Sequence, residues 1–191
     1  MNINYSVQDA QRLAYNSNYF DFVISIDIIE HVPDSIKMIR EINRVLKKNG
    51  QALITCPNYN FPFTYDPINR LLRLSKTKIN FGAYGFGHYK LMNESELEKW
   101  FIENNFKIVS KRGLSKYLVG LLEMYWSGIM QKLLKENSLN QMSVKEKKIE
   151  IRPGLKEPPM LFITDLIIKI DKLLFSKSRK SIGLSYLLEK K

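Results

Sequence analysis

The chain has 191 residues, 45% of them hydrophobic, which is enough to bury one core, and carries a formal charge of +11 at pH 7. Its single cysteine, Cys56, excludes an internal disulfide and sits at no Cys/His spacing of a zinc site, so no metal is expected and a reducing, cytoplasmic setting is. No apolar run approaches the length of a membrane span, and the opening Met1 to Ala10 does not read as a secretory signal.

In chain order, Ile3 to Val7 reads as a short strand ending at the acidic Asp9. Phe20 to Ile26 is an almost continuous apolar run of strand length, the pattern of a parallel strand covered on both faces. Asp21 at its start reads as structural. Asp34 after Pro33 can cap a helix in which Ile36, Ile39, Ile42, Val45 and Leu46 recur at helical spacing. Lys47-Lys48-Asn49-Gly50 stops that helix, with basic residues suiting its negative end. A second buried strand follows at Gln51 to Cys56 and is ended by Pro57-Asn58. Strand, helix and strand at this spacing form one right-handed βαβ unit, so the expected fold class is α/β with a mainly parallel sheet.

The stretch from Asn58 to Leu91 is a long loop rich in aromatics and glycine, a length usually reserved for function. Asn93 can cap a helix over Glu94 to Asn104 that turns Leu97, Trp100 and Phe101 inward, and a strand at Phe106 to Ser110 follows. From Leu114 the pattern becomes helical, first to about Lys135 and again from Met160 to Phe175. In the second helix Ile163, Leu166, Ile167, Ile170, Leu173 and Leu174 share one face, with Asp165, Lys169 and Lys172 opposite. Ile182 to Leu188 reads as a final strand able to pair antiparallel with Phe106 to Ser110. Charge is uneven: residues 1–100 hold 12 Lys/Arg against 10 Asp/Glu, and residues 101–191 hold 18 against 9. That excess either suits an anionic membrane surface as partner or is a compositional bias toward Lys, Asn and Ile with no partner behind it; nucleic acid is not expected, because no basic run is interleaved with aromatics.

Asp9-Ala10-Gln11-Arg12-Leu13, Tyr19 to Ile24, Glu30-His31-Val32-Pro33-Asp34, Arg44 to Gly50 and Pro57-Asn58 stand in an order and spacing that strongly resembles the type 11 and type 23 SAM-dependent methyltransferases. The resemblance covers about Ile3 to Ser110, and Gly183 to Lys191 resembles the last strand of that fold. It implies a Rossmann-like sheet of strand order 3-2-1-4-5-7-6 and S-adenosyl-L-methionine (SAM) as cofactor. Lys48-Asn49-Gly50 departs from the usual Pro-Gly-Gly, although Asn and Gly keep the turn accessible. A larger departure is that the glycine-rich loop and the ribose-binding acid of the family would precede Ile3. The expected architecture is therefore an N-terminally truncated core over residues 1–112, a helical insertion over 113–178, and the final strand over 179–191. Another chain supplying the missing strands is a further expected partner. Gly82, Gly85 and Gly87 do not stand in for the glycine loop, since they do not join a strand to a helix.

By the same resemblance Asp9 and Ala10 face the adenine, with Ile26 and Asp27 completing the cofactor side. Glu30 and His31 follow the carboxyl end of the strongest strand, where open α/β sheets bind ligands, and an imidazole beside a carboxylate can take a proton from an attacking nucleophile. The ordinary alternative is that His31 packs at the start of the next helix. Asn58, Tyr59, Tyr65, Tyr84 and His88 belong to the loop crossing the substrate side, where they bind the acceptor or merely lid the core; His88 is a further catalytic candidate. The implied activity is methyl transfer from SAM to an O, N or C nucleophile of a small-molecule or lipid-linked acceptor. The rival is a non-catalytic remnant that works as a membrane-surface or protein interaction module, peripheral to the membrane.

Overall fold

The structure is a computed structural model that describes residues 4–61, 66–77, 88–122, 125 and 161–191. Its described elements run β1 (Phe20–Ile26), α1 (Ser35–Val45), β2 (Leu46–Pro57), α2 (Pro67–Leu72), α3 (Glu94–Glu103), β3 (Phe106–Leu114), α4 (Tyr117–Leu121), α5 (Leu161–Phe175) and β4 (Gly183–Lys190). They form a four-stranded sheet of order β1-β2-β4-β3. β1 and β2 are parallel, with Val23 opposite Ala52 and Ile26 opposite Thr55. β4 lies antiparallel between β2 and β3. The fold is thus a mixed α/β open sheet, and the parallel pair joined by α1 is the βαβ unit read from the sequence.

Helix α1 starts where Asp34 accepts from the Lys37 amide at 2.9 Å, satisfying one of the donors that a helix start leaves orphaned. Met38, Ile39, Ile42 and Val45 recur on one face and are buried. Met38, Ile39 and Ile42 join Leu46, Ile54, Leu97, Phe101, Phe106 and Tyr186 in one core between α1, α3 and the sheet. The chain passes from α1 into β2 with no intervening loop, because Leu46 already has extended backbone. Asn49 then takes φ 63, and a Cβ on Gly50 would lie 2.9 Å from the Lys47 carbonyl oxygen. The Asn-Gly pair therefore meets a real steric demand. β2 begins five residues earlier than expected, since Leu46 to Gly50 count with the strand.

Two sequence expectations are corrected. Residues 4–8 form no strand: Tyr5 is 70% and Val7 96% exposed. An isolated extended segment has no ladder to satisfy its backbone, and among the described residues β1 pairs only with β2. β1 itself is covered on one face rather than both, for Phe22, Ile24 and Ile26 are 45%, 58% and 59% exposed while Ser25 is buried. Helix α5 carries apolar residues on its surface. Leu166, Ile170, Leu173 and Leu174 face outward, and Asp171 is 2% exposed.

The contact that turns this helix is polar: Asp171 accepts from the Lys116 and Leu118 amides at 3.0 and 2.8 Å, closing the start of α4. The side chain of Ile163 and, apart from residue 125, the expected helical stretch from 123 to Lys135 lie outside the described residues. No described helix is long and apolar enough to cross a membrane.

Candidate functional site

The carboxyl ends of β1 and β2 converge at Asp27. Its amide donates to the Thr55 carbonyl and hydroxyl oxygens at 3.2 and 3.1 Å, and the Thr55 hydroxyl donates back to Asp27 Oδ1 at 2.9 Å. Thus Asp27, at φ 49, is held in a left-handed backbone conformation that few non-glycine residues adopt. From there the chain turns sharply. His31 donates to the Ile28 carbonyl at 2.9 Å, the Ser35 hydroxyl to the Ile29 carbonyl at 2.9 Å, and fully buried Ile29 anchors the turn in the core.

This turn drives Glu30 inward. The residue is 1% exposed, and among the described residues neither carboxylate oxygen has a hydrogen-bonding partner. Burial pushes its pKa up to about 7, with the nearby Asp27 charge adding to the rise. His31 stays half-exposed, its Nε2 3.9 Å from Glu30 Oε1. His88 arrives from 57 positions further along the chain. The Tyr89 amide donates to the Glu30 carbonyl at 2.8 Å, hooking residues 88–90 onto the turn, and the His31 and His88 rings stand 4.8 Å apart between centroids. Burial, then the neighbouring His31, lowers the His88 pKa to about 4, so this imidazole is neutral at physiological pH.

Asp9 and Ala10 occupy a tight turn at the same end of the sheet. Asp9 Oδ1 accepts from the Gln11 amide at 2.8 Å and the Gln11 side chain at 3.2 Å, which holds its carboxyl below the usual range. Gln11 Oε1 in turn accepts from the Asp34 amide at 3.0 Å, tying the turn to the start of α1 and so to the loop that carries Glu30. Ala10 packs against the core, whereas the Asp9 carboxylate faces solvent.

The structure therefore brings Asp9, Ala10, Asp27, Glu30, His31 and His88 to one edge, with Ile26 on the open face of β1. Asn58 serves the fold: its side-chain amide donates to the Ser181 carbonyl at 3.1 Å and its Oδ1 accepts from Asn60 at 3.1 Å. Tyr59 is 43% exposed beside it, its amide donating to Met92. Tyr65 and Tyr84 lie outside the described residues. Thr55, which fixes Asp27, was not among the sequence candidates; its position opposite Ile26 at a strand end was the available signal.

A family model described as a methyltransferase domain matches residues 1–111, more than half of the chain. The chain belongs to this methyltransferase domain family. Among curated members, a ubiquinone biosynthesis O-methyltransferase of Coxiella burnetii is 26% identical over 116 residues, spanning 60% of this chain and 47% of that one. Phosphoethanolamine N-methyltransferase 2 of Caenorhabditis elegans is 42% identical over 53 residues, 28% of this chain and 12% of its own. The methyltransferase-domain chain thus spans about half or less of these relatives. Among solved structures, the cyclase SpnF superposes with a TM-score of 0.53 at 16% identity, over 97% of this chain and 54% of that one, a likeness of fold alone.

Proposed function

We propose that this methyltransferase-domain chain takes part in SAM-dependent methyl transfer to an O, N or C nucleophile of a small-molecule or lipid-linked acceptor. The observation that carries the reading is the convergence, at the carboxyl edge of a methyltransferase sheet, of the Asp9 turn with the Glu30-His31 turn and His88. The described residues suit one end of the cofactor: the exposed Asp9 carboxylate would accept from an adenine amino group, and Ala10, Ile26 and Asp27 would help to hold that end. When bound, SAM supplies a methyl group on an electrophilic sulfonium, so alignment provides much of the rate and no obligatory base is needed. For an oxygen or nitrogen acceptor, His31 is placed to accept the proton, with Glu30 stabilising the imidazolium from 3.9 Å.

The test is transfer of labelled methyl from SAM to a panel of phenols, amines, carbon acids and lipid-linked acceptors. It is run on the chain and on a fusion carrying a relative's N-terminal strand, glycine loop and helix. His31→Ala is expected to lower kcat about 100-fold with little change in KM. Absence of transfer by both proteins across the panel would overturn the reading. It would favour a second one, a non-catalytic interaction module, for which the open apolar face of Phe22, Ile24 and Ile26 speaks.

A further inference from the structure

We propose that Glu30, His31 and His88 form a binding site for a first-row divalent cation of the zinc or cobalt kind. One ligand atom from each residue lies within 4.8 Å of the other two. These atoms come from two separate pieces of chain, and the hydrogen bond from the Tyr89 amide to the Glu30 carbonyl keeps the pieces together. Ligands around one zinc ion, each about 2.0–2.2 Å from it, stand about 3.3 Å apart. The Glu30 to His31 separation of 3.9 Å already approaches that spacing. Rotation at the half-exposed His31 ring can close most of the remainder.

A second, independent observation is Glu30 itself. Its carboxylate is buried at 1% exposure and, among the described residues, neither oxygen has a hydrogen-bond donor, so the charged form has room for a compensating cation. Two imidazoles and one carboxylate favour zinc, cobalt or manganese over calcium or magnesium, whose preferred ligands are all oxygen. Three protein ligands also leave a coordination position open, as in catalytic rather than structural zinc sites. An acceptor hydroxyl entering that position would lose its proton to bulk water more readily, relieving His31 of that task. This last consequence rests on the methyl-transfer reading; cation binding does not.

The test uses the chelator-treated chain without SAM or acceptor, titrated with Co2+ while visible absorption is followed, and then with Zn2+ in competition. One Co2+ per chain is expected, with the intense d–d bands of a low-coordinate nitrogen-containing site, lost on adding Zn2+. Glu30→Gln and His88→Ala are each expected to weaken binding by at least about 10-fold, while Glu103→Gln leaves it unchanged. Circular dichroism confirms that the variants fold, and His88→Gln replaces any that does not. A folded chain with no Co2+ spectrum, or an identical spectrum in both ligand variants, overturns the site. Either result leaves transfer from SAM to be judged by its own assay, and a clear Co2+ spectrum on a chain that never transfers methyl leaves the site standing alone.

Discussion

Glu41 shows how one side chain can hold an unpaired segment in place. It accepts from the Leu13 amide at 2.7 Å and from Arg44 at 2.7 and 3.0 Å, and Arg44 also donates to the Leu13 carbonyl at 3.1 Å. The Arg44 hydrogen bond is the largest cause holding the Glu41 carboxyl below its ordinary value of 4.5, with the Leu13 amide helping. A carboxylate lowered in the folded state adds stability that is complete above its unfolded pKa and disappears as pH falls through the folded one. The difference in urea midpoint between the wild type and Glu41→Gln should therefore be full at pH 7 and shrink below about pH 4.5. A difference independent of pH between 7 and 3 would mean that shape, not charge, makes the contact. None of this was legible in the sequence, where Glu41 is one more polar residue on the outer side of a helix. Glu30 and His31 were legible, because position after the strongest strand marks them. Their meeting with His88 was not, since a separation of 57 residues carries no spacing signal.

At the level of elements, apolar periodicity located α1, α3, both parallel strands and the antiparallel closing pair. It did not show what holds α5 in place. Periodicity counts apolar residues but does not know that the two orphan amides at Lys116 and Leu118 need an acceptor, and Asp171 meets that need from inside the helix's own polar set. Asp171→Ala leaves two part-buried amides without this acceptor, and each hydrogen bond to a charged group contributes about 1.5–3 kcal/mol. Water reaching the part-buried amides offsets some of that, so a loss of roughly 2–4 kcal/mol is expected, read as a lower denaturant midpoint together with faster hydrogen exchange at Lys116 and Leu118. An unchanged midpoint would show that α5 is not held by this contact.

The same contact leaves Phe162, Leu166, Leu173 and Leu174 outside, with Lys169 and Lys172 exposed near them. An apolar stripe flanked by lysines suits the interface of an anionic bilayer. Co-sedimentation with anionic vesicles at low salt should exceed that with neutral ones, and Leu166→Asp with Leu173→Asp should abolish it. Equal and negligible sedimentation with both vesicle types would remove the membrane partner.

For the molecule as a whole, the decisive feature is the free edge of β1, which among the described residues has no strand on its outer side. The position of β1 was legible as the strongest strand in the chain. An open edge followed only from the strand order that the resemblance implied, because its continuous apolar run reads like that of a strand buried on both faces. On the proposed reading Asp9 and Asp27 would hold one end of SAM near this free edge. A fusion that places a relative's glycine loop and ribose carboxylate beside the edge should therefore bind SAM more tightly than these 191 residues alone. Two charge-assisted contacts of about 1.5–3 kcal/mol each correspond to about two to four decades in Kd. Calorimetry on the two proteins decides it, and micromolar binding by the unfused chain would show that the described residues suffice.

The place of β4 has a consequence for how the protein comes to exist. β4 follows every other described element in sequence yet lies between β2 and β3, and β3 joins the sheet only through it. A nascent chain that has emerged from the ribosome as far as residue 182 holds β1 and β2 as a pair, with β3 still unattached. Its Phe101, Phe106 and Ile54 wait for Tyr186 and Leu188 to complete the core. The interval during which β2 and β3 expose bare edges lasts for the synthesis of all the residues between Leu114 and Gly183, and it is then that a chaperone has most to hold.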